Sequence, residues 1–194
     1  MRGDALQALL VSTGLVALAE MGDKTQLLAL VLAARLRKPW TICAGVLVAT
    51  VANHGLAGGL GYWLAGSVPH KALMWITGVS FIVFGIWTLR PDTPSGTPEM
   101  RRAGAFVTTV IAFFVAEMGD KTQLATLTLA AHFQTPIQVV LGTSLGMLLA
   151  DVPAIWFGDR MAQRVPLKPL RIAAAMLFVA MGGLALIGLL RSTP

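Results

Sequence analysis

The chain has 194 residues, 56% of them hydrophobic and only 12% charged, against roughly a quarter charged in soluble proteins. That balance excludes a soluble globular domain and describes an integral membrane protein. The net charge of +6 requires no nucleic-acid partner, because the basic residues fill short gaps between apolar runs, where positive-inside bias accounts for them. With Cys43 as the one cysteine, an intramolecular disulfide and a thiolate metal cluster are also excluded.

The first apolar run covers residues 5–34, more than the roughly 20 that a spanning helix needs, and Glu20 lies at its centre. Ala17-Leu18-Ala19 has the form of a signal-peptidase site. A weak basic start, in which Asp4 offsets Arg2, and the return of the same local string deep in the chain favour a retained span. Arg35, Arg37 and Lys38 end this run. Pro39 opens the second, Trp40 marks one interface and Tyr62 and Trp63 the other. A third run covers residues 72–89, and the Pro-, Ser- and Gly-containing charged stretch 90–102 reads as the linker. Runs at 103–131, 136–157 and 170–190 complete the set. In lipid only helices or closed barrels satisfy the backbone, and strand-type alternation is missing, so six transmembrane helices are expected.

One nine-residue string organises the whole. Ala-Glu-Met-Gly-Asp-Lys-Thr-Gln-Leu runs from Ala19 to Leu27 and again, unchanged, from Ala116 to Leu124. The same offset of 97 superposes Pro39 on Pro136, Gly45 on Gly142, Gly61 on Gly158, Pro69 on Pro166, Lys71 on Lys168 and Gly85 on Gly182. The chain therefore divides into repeats at 1–97 and 98–194. Three helices per repeat is an odd number, so the second repeat is predicted to be inverted with respect to the first. Transporters of this plan place the substrate near the midplane, where the repeats meet. Ten of the fifteen basic residues fall after the first, third and fifth helices, which predicts both termini on the non-cytoplasmic side.

Lys24 and Lys121 belong to no loop. On a continuous helix Glu20, Asp23 and Lys24 occupy i, i+3 and i+4 and share one face, as do Glu117, Asp120 and Lys121. Intramembrane ionisable groups are costly enough to mark function. If each Glu neutralises its own Lys, Asp23 and Asp120 remain, and four acids against two charge-balancing lysines leave minus two. One divalent cation or two protons would cancel that charge, which predicts metal/proton exchange at a site of Glu20, Asp23, Glu117 and Asp120. Hydroxyls (Thr25, Thr122) and amides (Gln26, Gln123) are secondary ligand candidates, and this oxygen set suits Mn²⁺, Ca²⁺ or Mg²⁺ rather than Cu or Zn. Met21 and Met118 read as packing. Gly22 and Gly119 serve either to loosen the helix towards the ion or to pack it closely.

Ser12 and Thr109 lengthen the polar stripe. Asn53 and His54 correspond to Ala150 and Asp151 in the other repeat. Asp151 is a proton acceptor, an extra ligand or a partner for Lys24 or Lys121; His54 is a proton relay or a hydrogen-bonded packing residue. Gly55/Gly59 and Gly142/Gly146 form G-x-x-x-G pairs assigned to packing within the protomer, with a dimer interface left open. Trp75, Trp87 and Trp156 read as interface anchors. A membrane-embedded hydrolase is disfavoured by a Lys beside each Asp and by the lack of a nucleophile set. A cation channel and a cationic amino-acid exporter stay open as alternatives.

Glu-hydrophobic-Gly-Asp-Lys-Thr, at Glu20 to Thr25 and Glu117 to Thr122, resembles the signature of a family of Golgi and chloroplast manganese/calcium transporters and bacterial manganese exporters. The likeness covers essentially the whole chain. It implies six or seven membrane helices in two halves and secondary transport of Mn²⁺ or Ca²⁺ against protons, with no resident cofactor. It also implies the four motif acids as ion ligands and, without an organellar extension, a bacterial inner membrane.

Overall fold

A computed structural model describes residues 2–90, 104–162 and 167–191. The linker, from residue 91 onwards, and Pro166 lie outside the described residues. Eight helices and no strand occur among them: α1 (Arg2–Glu20), α2 (Lys24–Leu36), α3 (Pro39–Ser67), α4 (His70–Thr88), α5 (Ala105–Glu117), α6 (Lys121–Phe133), α7 (Pro136–Ala162) and α8 (Leu167–Arg191).

The first and fourth apolar runs are not single helices. Each breaks inside the repeated string, between Glu20 and Lys24 and between Glu117 and Lys121. Gly22 and Gly119 take φ values of +81° and +75°, a region that costs an L side chain about 1–2 kcal/mol per residue. The bend between α1 and α2 is 70°. Four helices are long and apolar enough to cross a membrane, and the bent α1–α2 pair makes a fifth candidate span. By itself α5 is too short, with 13 residues, about 20 Å of helix against a hydrocarbon core of about 30 Å.

Sequence chemistry fixes the other boundaries in the same paired way. Both α2 and α6 end on a left-handed residue, Arg37 (φ 50°) and Gln134 (φ 56°), whose N–H groups bond the Ala33 and Ala130 carbonyls. A proline opens the next helix in each case, Pro39 and Pro136. At that position the missing N–H is no loss.

Packing preserves the 97-residue correspondence. Phe81 meets its own counterpart Phe178, ring centroids 6.1 Å apart, where α4 packs on α8. A Cβ on Gly85 would strike Val179 and Ala175, and one on Gly182 would strike Gly78 and Ile82; these contacts are images of one another, with the two helices antiparallel. In like fashion Gly142 admits Leu9 and Ser12 of α1, and Gly45 admits Thr109 of α5. Elements of one repeat thus pack chiefly on elements of the other. The buried core has two parts, one around Leu15, Phe81, Leu129 and Phe178 and another around Leu32, Ile42, Val46 and Phe113.

The two G-x-x-x-G pairs differ in use. Gly142 and Gly146 lie against the α1 backbone, where a Cβ would come within 2.5 and 2.6 Å of the Leu9 and Thr13 carbonyl oxygens. Gly55 and Gly59 face open space, which corrects their assignment to packing within the protomer. Gly142→Ala and Gly146→Ala should each destabilise the protein by about 1–3 kcal/mol through overpacking, whereas Gly55→Ala should be neutral or slightly stabilising. Thermal unfolding of the purified variants in one detergent checks this, and equal melting temperatures would contradict it.

Candidate functional site

The helix breaks decide where the charged groups go. Glu20 and Glu117 become the last residues of α1 and α5, while Asp23 and Asp120 adopt extended conformations at the N-caps of α2 and α6. Their N–H groups close short turns onto the Glu20 and Glu117 carbonyls, at 3.0 and 3.1 Å. The continuous helical face expected for Glu, Asp and Lys is therefore overturned. Each Glu instead lies by the start of the following helix, whose dipole favours an anion. Thr25 donates its hydroxyl to Glu20 Oε2 at 2.5 Å, and Thr122 donates to Glu117 Oε2 at 2.9 Å.

Ion pairing crosses between the repeats. Lys24 Nζ stands 2.7 Å from Asp120 Oδ1 and Lys121 Nζ stands 2.6 Å from Asp23 Oδ1. The acids that the lysines satisfy are thus the aspartates, and the excess negative charge belongs to Glu20 and Glu117. Both glutamates are fully buried, and Glu20 Oε1 and Glu117 Oε1 have no hydrogen-bond partner among the described residues. Oxygens of Glu20, Glu117 and Asp120 lie within 4.8 Å of one another, close enough to share one ion.

Gln26 and Gln123 have a structural task. Gln26 Oε1 accepts the Gly22 N–H at 2.8 Å and Gln123 Oε1 accepts the Gly119 N–H at 2.6 Å, so the amides brace the breaks. Asp-x-x-Gln before an apolar run is a capping-box pattern, the signal from which this role was legible. Gln26 also donates Nε2 to the Ala150 carbonyl at 2.9 Å, tying the first break to α7 one residue before Asp151.

Asp151 is buried, and neither carboxylate oxygen has a hydrogen-bond partner among the described residues. It pairs with neither lysine, because the aspartates already hold both. His54 is likewise buried with both ring nitrogens unpartnered, contrary to a hydrogen-bonded packing role, and Asn53 donates to the Phe114 carbonyl at 3.3 Å. Thr109 is satisfied by the Ala105 carbonyl within its own helix, whereas the Ser12 hydroxyl has no partner. Thr50 and Ser144, buried hydroxyls without partners, were missed because isolated polar residues in apolar runs carry no spacing signal. Met118 turns outward, 57% exposed, which corrects its assignment to packing and leaves it off the carboxylate cluster as well. Trp156 meets Trp40 edge-to-face at 5.1 Å.

Two interrupted helices apposed inside a multi-pass bundle, with carboxylates at the interruptions, define a membrane transporter rather than an enzyme. The chain belongs to the GDT1 family, described as divalent cation/proton antiporters, whose profile matches twice, over residues 8–96 and 105–192. A Vibrio cholerae protein named "Putative manganese exporter" is 46% identical over 91% of this chain and 88% of its own length. GDT1-like protein 5 of Arabidopsis thaliana is 27% identical over 93% of this chain and 95% of its own length. GDT1-like protein 3 of rice is also 27% identical, over 89% and 71%. No solved structure matches.

Proposed function

We propose that this chain exports Mn²⁺, with Ca²⁺ second in preference, from the cytoplasm in exchange for protons across a bacterial inner membrane. The ligands are Glu20, Glu117, Asp120 and Asp23. One observation carries the reading: three buried carboxylates converge within 4.8 Å, and each glutamate keeps an oxygen with no partner. Uncompensated anions at that depth are costly, and a divalent cation or protons relieve the cost. All-oxygen ligation favours Mn²⁺ or Ca²⁺ over Zn²⁺ and Cu²⁺.

Six membrane crossings as two inverted repeats, 1–97 and 98–194, with both termini non-cytoplasmic, complete the proposal. The doubled family match and the mutual packing of equivalent residues support it. Four acids and two lysines give the site a formal charge of minus two, so one M²⁺ exchanged for two protons leaves it balanced in both directions.

Proteoliposomes of the purified protein test this directly. A gradient of one pH unit should drive Mn²⁺ accumulation towards about 100-fold, with protons moving oppositely, since each proton contributes roughly 1.4 kcal/mol and two are exchanged per ion. Divalent flux indifferent to the gradient would indicate a uniporter. Absence of any divalent flux would remove the metal reading.

A further inference from the structure

The two copies of the string are identical in sequence, yet they do not occupy equivalent places. At the first break Gly22 is buried; at the second Gly119 is exposed. The Lys121–Asp23 pair is sealed, with side chains 3% and 0% exposed, while Lys24 in the Lys24–Asp120 pair is 19% exposed. Ion-ligand geometry is unequal in the same sense. The set within 4.8 Å is Glu20, Glu117 and Asp120, and its image under the 97-residue correspondence is Glu117, Glu20 and Asp23. Only the aspartate changes.

We infer that the glutamates are permanent ligands and the aspartates take turns, each being held by the other repeat's lysine whenever it is off the ion. The inference rests on the transport reading above. In the present arrangement Asp120 sits with both glutamates, and Lys24, the more exposed of the two ammonium groups, is the internal cation that an arriving ion displaces from it. Asp23 is meanwhile held by Lys121 at 2.6 Å. In the image arrangement the assignments exchange, so that Asp23 joins the glutamates and Asp120 returns to Lys24. Such an exchange keeps every aspartate compensated throughout the cycle, and breaking a buried pair by removing one partner costs about 3–5 kcal/mol. The lysines are therefore positioning residues that act through the aspartates.

Two charge-neutral double variants separate this from a site that uses all four acids at once: Asp23→Asn with Lys121→Gln, and Asp120→Asn with Lys24→Gln. Neither leaves an orphaned buried charge. Alternation predicts that each variant still binds Mn²⁺ within about tenfold of wild type, a difference of no more than about 1.4 kcal/mol, because one complete set of two glutamates and an aspartate survives. Neither should exchange Mn²⁺ across a vesicle membrane, since the second set is gone, and the quadruple variant should not bind. Loss of binding in both doubles to the extent seen in the quadruple variant overturns the inference in favour of a simultaneous four-acid site. Undiminished exchange in either double overturns it as well.

Single Lys24→Gln and Lys121→Gln variants, which keep every acid, provide a second reading if a double variant elutes as aggregate. Each should bind Mn²⁺ several-fold more tightly and exchange it more slowly, having lost the internal competitor, and unchanged affinity in both defeats the inference. Failure of the wild type to bind any divalent cation would defeat the transport reading instead.

Discussion

Glu20→Gln and Glu117→Gln should each weaken Mn²⁺ binding by at least about 100-fold and abolish exchange, while the fold stays intact. Outer-shell partners of a metal already contribute roughly 10–100-fold, and these carboxylates are proposed as direct, charged ligands. Gln keeps an oxygen to accept the Thr25 or Thr122 hydroxyl, so local geometry is conserved and only the charge is lost. The apo protein should melt no lower than wild type, because a buried carboxylate with an unpartnered oxygen costs free energy that the amide avoids in part. Saturating Mn²⁺ should raise the wild-type melting temperature through linkage and leave both variants unmoved. Calorimetric titration combined with metal-dependent melting measures both quantities. Binding within tenfold of wild type in either variant would dismiss the glutamates as ligands.

The second large effect falls on the glycines at the breaks. Gly119 stands in open space despite its φ of +75°, so Gly119→Ala introduces no clash and isolates the backbone cost of about 1–2 kcal/mol. Relief comes from continuing the helix through the break, which would return Glu117, Asp120 and Lys121 to one helical face and withdraw Asp120 from Glu20. Exchange should fall by about 5- to 30-fold, the rate equivalent of that cost. Gly22 is buried, so Gly22→Val, which adds β-branching in the left-handed region, should lower stability as well as transport. Wild-type exchange in Gly119→Ala would mean that the break is not needed for the site.

Much of this site was legible in the letters. The doubled string, the 97-residue correspondence and the charge of minus two require no coordinates, and the same glycines raised the prospect of a loosened helix. What periodicity could not supply was the choice between the two uses of glycine. A continuous helix and a broken one fit the same apolar run, and the positive φ at Gly22 and Gly119 decides it. Equivalence between Asp23 and Asp120 likewise says nothing about which lysine each will meet. Pairing within a repeat is the simplest expectation from i, i+4 spacing, and it fails because the break turns Lys24 onto a new helix axis. Of the three readings of Asp151, only partnership with a lysine fails, for a related reason: both lysines are held by the aspartates.

The crossed ion pairs have a consequence for synthesis. Lys24 and Asp23 are made well before their partners Asp120 and Lys121, which lie nearly a hundred residues downstream. A polar residue in lipid without its partner is tolerated only briefly or at the water boundary. The first string therefore meets its ionic partners only when the second string arrives, and that arrival completes both pairs. Assembly of the two halves and creation of the site are then a single step.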